Sequence, residues 1–180
     1  MAVRERVLLE AAARVLAKSP AASMAEIAAV AGVSRTTLHA RFANRHDLLV
    51  ALAQDAMDQV EAAYREAGLD GPDVRAALGR TVELLMPLGA QIEFLLRERS
   101  LDDDDELTRR YAGLDRPVVE AVARGQRDGA LRADLPAWWL VAALSGTVYA
   151  AWEAIVDGRL APRDAVGFVL AVVFDGAAPR

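Results

Sequence analysis

The chain is 180 residues long, carries a net charge of -5, is 54% hydrophobic but only 6% aromatic, and contains no cysteine. That length permits one large domain or a small domain joined to a medium one, and the alanine-, leucine- and valine-rich composition favours close-packed helices. The missing cysteines exclude disulfides, thiolate zinc sites and cysteine nucleophiles, and suit a reducing cytoplasm.

In chain order, Val3 to Lys18 places Val7, Leu8, Ala11, Ala12, Val15 and Leu16 at helical spacing, which predicts one apolar stripe, ended by Ser19 and Pro20. The charges scattered through this segment argue against a signal peptide. Ser23-Met24-Ala25-Glu26 has capping-box form, in which hydroxyl and carboxylate satisfy each other's orphan amides, so a second helix is predicted to start there. It turns Ile27, Val30 and Ala31 inward and reaches Gly32, the residue best able to take a left-handed conformation at a helix end. Ser34 is placed to cap a third helix two residues later. Asn44 and Asp47 offer the same for a fourth, which runs to about Ala67 before Gly68 and Gly71-Pro72 break it.

Beyond Pro72 the breaks are sparser. Asp73 to Met86 reads as a helix interrupted or bent at Pro87, and Gln91 to Arg99 as another. Asp104 to Tyr111 and Asp115 to Arg127 follow, with possible breaks at Gly113 and Pro117. Pro136 and Pro162 sit where first-turn prolines are tolerated and open helices ending near Gly158 and Gly176. The fold class expected is all-α, with no internal repeat. Leu135 to Trp152 is an 18-residue run without formal charge. Its Pro136, Ser145, Gly146, Thr147 and Tyr149, and the lack of flanking basic clusters, favour a helix buried in a core or subunit interface over a membrane span.

The charge is unevenly distributed. Residues 1–50 hold seven basic and four acidic side chains, a balance of +3, which leaves -8 for the remainder. A mildly basic head on an acidic body points to an anionic partner for the head.

Two short helices joined through a glycine-containing turn describe a helix-turn-helix, whose second helix can enter the major groove of DNA. On a helical wheel Leu38 and Phe42 define the buried side of the third helix, so Thr36, His39 and Ala40 lie opposite with Arg35 and Arg41 on the flanks. These residue types suit DNA. Arg35 can reach a guanine edge or a phosphate, Thr36 and Thr37 can meet base edges or a thymine methyl, His39 can donate to a phosphate, and Ala40 permits close approach. Arg45, at the start of the fourth helix, opposes that helix's dipole, and a nearby phosphate would explain it. A tight three-helix packing unit with a solvated face has the same spacing, so geometry alone leaves both readings open.

The stretch SMAEIAAVAGVSRTTLHARFANRHDLL, Ser23 to Leu49, closely resembles the DNA-binding head of TetR-family transcriptional regulators. The E-I-A run, A-G-V-S, T-L, a phenylalanine four residues on, a basic residue and D-L-L occur in that family's order. RERVLLEAAARVL resembles its first helix. The likeness covers about residues 4 to 50. It differs at His39, where the family often has tyrosine, and at Arg45, where it often has lysine.

The resemblance implies a DNA-binding head over residues 1–48, with Ser23 and Ser34 joining the contacts named above, and an effector-binding and dimerisation body over 49–180. It further implies a cytoplasmic homodimer on pseudo-palindromic double-stranded operator DNA, released by a small molecule, with no cofactor and no membrane partner. The sequence suits such pairing, since Trp138 to Trp152 and Ala165 to Phe174 are more apolar than one small core requires. Gly146, Ala150, Val166, Val169 and Val173 are the candidate interface residues. Met57, Leu85, Met86, Phe94, Tyr111, Trp139, Tyr149 and Trp152 are candidates to line an effector pocket, with Gln91, Arg97 and Glu153 as polar anchors.

An enzyme is not expected. Neither histidine has a glutamate three residues before it, and there is no G-x-S-x-G elbow or P-loop. The acidic run Asp102 to Glu106 lacks the spacing of a calcium loop and suits a helix start. A helical small-molecule carrier without DNA binding is the alternative.

Overall fold

The computed structural model describes the backbone of residues 3–177 and the side chains of residues 6–175. Within these bounds the regular structure is helical: α1 (Val3–Lys18), α2 (Met24–Val30), α3 (Arg35–Arg41), α4 (Arg45–Ala67), α5 (Val74–Leu85), α6 (Gly89–Arg97), α7 (Asp105–Gly113), α8 (Arg116–Arg127), α9 (Ala137–Val156) and α10 (Pro162–Ala177). Short 3-10 turns precede α6 and α7, at Met86–Leu88 and Arg99–Leu101. The helix bounds match the predicted breaks closely. Pro87 lies in the 3-10 turn between α5 and α6, and Pro117 sits in the first turn of α8, where its missing amide is not needed.

The chain forms two compact units. The first comprises residues 1–59 and 90–111, and the second residues 60–89 and 112–180. In the first, α1 packs on α2 and α2 on α3 around Leu9, Ile27, Leu38 and Leu48, each at most 1% exposed. The α4 segment of this unit is tied to its neighbours by charge. Arg110 of α7 donates to Asp58 at 2.6 Å, and Arg6 of α1 lies 3.9 Å from Asp55.

In the second unit α9 packs along α10 and α8, and α5 packs against α8 and α10. Its core includes Val82, Val118, Val148 and Val169. Side chains satisfy carbonyls at the end of α4 and in the loops between helices. Arg80 donates to Ala67 O at 2.9 Å, and Arg124 to Leu69 O, while Gln126 donates to Arg132 O and Leu135 O. Among the described residues α9 alone is long and apolar enough to cross a membrane, and most of it is not covered by the rest of the chain.

Candidate nucleic-acid interface

The helix-turn-helix is built by its caps. Ser23 precedes α2; its backbone N–H donates to the Glu26 carboxylate at 2.7 Å and its hydroxyl to the same oxygen at 2.8 Å, while Glu26 N–H donates back to the hydroxyl at 3.3 Å. The backbone bond from Ser23, and then its hydroxyl, hold the Glu26 carboxyl below the ordinary glutamate range. The turn after α2 passes through Gly32 at φ +69°, a left-handed conformation that side-chain-bearing residues resist. Val33 N–H then donates to Ala28 O at 3.0 Å. Ser34 caps α3 by accepting from Thr37 N–H at 3.0 Å, and the two hydroxyls lie 2.8 Å apart.

Only Leu38 of α3 is buried, and Phe42, which ends the helix, is 5% exposed. Arg35, Thr36, Thr37, His39, Ala40 and Arg41 are exposed, so the helix offers solvent a hydrogen-bonding, cationic face held by one apolar anchor per turn. The hydroxyls of Ser23, Ser34 and Thr37 are engaged in capping, while Arg35, Thr36, His39 and Ala40 face outward with Arg41 beside them.

Arg45 departs from the expectation. Its guanidinium is half-buried and turned to its own chain, donating to Pro20 O at 2.6 Å and to Ala22 O. Two backbone carbonyls therefore supply partners for a cation placed at a helix N-terminus, where the dipole alone disfavours it. The α4 start is capped independently, with Asp47 N–H donating to Asn44 Oδ1 at 3.0 Å.

The sequence pattern described as bacterial regulatory proteins of the tetR family matches residues 8–52. The HTH-type transcriptional repressor LfrR of Mycolicibacterium smegmatis is 37% identical over 153 residues, spanning 85% of this chain and 79% of LfrR. The chain belongs to the TetR family.

It is a TetR-like transcriptional repressor and not an enzyme, and membership sets aside the carrier alternative. The crystal structure of LfrR from Mycobacterium smegmatis in complex with proflavine superposes with a TM-score of 0.78 at 34% identity, covering 96% of both chains. A second LfrR structure gives 0.67 at 30% identity, covering 95% of this chain and 97% of that one. A TetR-family regulator from Marinobacter aquaeolei VT8, 23% identical with a TM-score of 0.74 over 98% and 96% of the two chains, shares the fold.

The residues expected to line an effector pocket of this TetR-family chain divide between the two units. In the first, Met57, Gln91 and Phe94 are buried. Phe94 and Arg97 border a shallow crevice with Leu16, Ala17 and Pro20, while Arg97 also pairs with the buried Glu93 at 3.0 Å. Tyr111 is 43% exposed. In the second unit Leu85 is buried, and Met86, Tyr149, Trp152 and Glu153 are half-buried. Tyr149 donates to Glu153 at 3.0 Å and its ring lies 6.2 Å from that of Trp152. Trp139 is the most exposed of the expected aromatic residues. It stands edge-on to Trp138 at the exposed start of α9, 52% accessible.

The expected pairing surface also changes in part. Gly146 and Ala150 are exposed on α9, with open space where a Gly146 Cβ would stand. Val166 and Val173 are half-buried, but Val169 is 1% exposed and belongs to the core of its own chain. The outward apolar residues of α10 are Phe168 and Val172, each 62% exposed, which the sequence did not single out. Because α10 is apolar on more than one face, periodicity alone does not say which face turns inward.

Proposed function

We propose that the protein is a ligand-responsive repressor that binds a pseudo-palindromic operator as a homodimer in the cytoplasm, with residues 1–48 as the DNA-binding head. The observation that carries this reading is the outward set on α3, where Arg35, Thr36, His39 and Ala40 stand free of the core on a helix fixed by Leu38. In this reading α3 enters the major groove, Arg35 and Thr36 meet base edges, and His39 and Arg41 meet phosphates.

The second copy pairs through α9 and α10. Trp138, Gly146 and Ala150 are exposed on one helix and Phe168 and Val172 on the other, and pairing would cover these apolar groups. Two heads held together would read half-sites about 34–36 Å apart, or a related spacing. This pairing explains α9 without a membrane.

The effector we propose is a planar aromatic molecule of the proflavine type, by analogy with the ligand in the LfrR complex. Trp152, Tyr149 and Glu153 suit such a ligand, since they join aromatic faces to a carboxylate able to meet a cationic ring. Ligand binding releases DNA only if the DNA-free state binds the ligand more tightly.

The test captures genomic fragments on the purified protein, maps the protected sequence, then titrates proflavine into DNA-free protein by calorimetry before adding it to the complex. Binding to the free protein with loss of the shifted band supports the whole reading. No heat of binding would reject a proflavine-type effector and leave the DNA-binding part standing.

A further inference from the structure

The helix-turn-helix is entered at Ala22 and left at Arg45, and these two ends are joined. The guanidinium of Arg45 donates from one terminal nitrogen to Pro20 O at 2.6 Å and from the other to Ala22 O. Ala22 is 3% exposed and immediately precedes the α2 cap Ser23, while Arg45 is the first residue of α4. The side chain thus bridges 25 and 23 residues of sequence and fastens the first turn of α4 to the loop that launches α2.

We propose that Arg45 is a positioning residue, a strap that closes the helix-turn-helix on itself so that α2, α3 and the start of α4 move as one piece, and that it serves DNA binding through this strap and not by neutralising a phosphate. A forked, planar donor suits the task, because two carbonyls on one loop are met by two fixed N–H groups of a guanidinium, whereas an ammonium is a single point. The role given to Arg45 rests on the DNA-binding reading above, and the experiment separates the two.

The test compares wild type, Arg45→Ala and Arg45→Lys on a mixed-sequence DNA duplex across a salt series, with hydrogen exchange followed at the Ala22 amide, which donates to Ser19 O at 2.9 Å in the strapped loop. A strap predicts about tenfold weaker binding for Arg45→Ala, the size expected for losing a charge-assisted bond. It also predicts an unchanged slope of log affinity against log salt, no recovery in Arg45→Lys, and faster Ala22 exchange in both variants. A slope smaller by about one in Arg45→Ala, with binding restored in Arg45→Lys, would mark a phosphate contact and overturn the proposal. Unchanged Ala22 exchange in both variants would overturn it as well. If wild type bound no duplex, the DNA-binding reading would fail, and the exchange measurement would still decide whether the strap exists.

Discussion

A Cβ placed on Gly89 would lie 1.8 Å from Cδ1 of Trp152, so the indole rests directly against the backbone at the first residue of α6. Glycine is required there for space, not for an unusual backbone angle. Gly89 lies just after the turn that carries Pro87.

Two effects oppose each other in Gly89→Ala. Helix propensity favours alanine by up to about 1 kcal/mol, while forcing a side chain into an occupied site costs roughly 1–3 kcal/mol. The overlap here is severe, so the variant is expected to be less stable by denaturant titration. In a Trp152→Ala background the same change should become neutral or favourable. Destabilisation of equal size in both backgrounds would mean that the indole is not the obstacle.

Asp55 is 3% exposed, and its Oδ1 has no hydrogen-bond partner. Burial pushes its carboxyl above the ordinary aspartate range, against the opposing bond from Gln59 and the charge of Arg6; the carboxylates of Asp58 and Glu10 push the same way as burial. With the folded value raised, its contribution to stability is full below the ordinary aspartate value and is lost as pH rises through the raised value. Asp55→Asn should therefore remove a segment of the stability profile that declines with rising pH in the acid range. Identical profiles for variant and wild type, measured by thermal unfolding across pH, would contradict this. Glu26 has the opposite sign: its lowered carboxyl contributes above the ordinary glutamate value, and that contribution is lost on acidification through the lowered value.

Pairing through α9 and α10 is tested by charge. Ala150→Glu and Phe168→Glu each bring a carboxylate to an exposed apolar face without disturbing the core of the chain. Both should give monomers by light scattering while keeping their helical content. Val169→Ala, by contrast, should lower stability by about 0.5–2 kcal/mol without dissociating the dimer, because Val169 faces its own core. Persistent dimers in both glutamate variants would place the interface elsewhere.

The reading face makes a separable prediction. Thr36→Ala and Arg35→Ala should each weaken operator binding by about 1–3 kcal/mol and relax the base preference at one position per half-site. Binding of Thr36→Ala to a mixed-sequence duplex should hardly change, since that hydroxyl carries no charge. An equal loss on operator and mixed sequence would show that Thr36 acts on folding and not on bases.

Much of the head was legible because its signals are local. The capping box at Ser23, the left-handed Gly32, the cap at Ser34 and the Asn44 cap all appear where residue type and spacing place them. The wheel that puts Leu38 inward also puts Thr36 and His39 outward, since a seven-residue helix with one apolar row has one solution. What sequence did not reveal depends on contacts across long separations. The bonds from Arg45 were hidden because its partners, Pro20 O and Ala22 O, are backbone atoms with no residue signature. That Trp139 is exposed and Val169 buried was hidden because both lie on helices apolar around much of their circumference, where periodicity gives a helix but not its orientation. Gly89 gave no sign of its role, which exists only through Trp152.

The most direct measurement maps the footprint and stoichiometry of the wild-type protein, and of an Arg35→Ala, Thr36→Ala, His39→Ala triple variant, on the genomic fragment the wild type captures. Two protomers should protect two symmetric half-sites on one side of the duplex, and the triple variant should fold and dimerise normally yet leave them unprotected. Protection of the same bases by the triple variant, or a footprint without two-fold symmetry, would contradict a dimer that reads DNA through the outward face of α3.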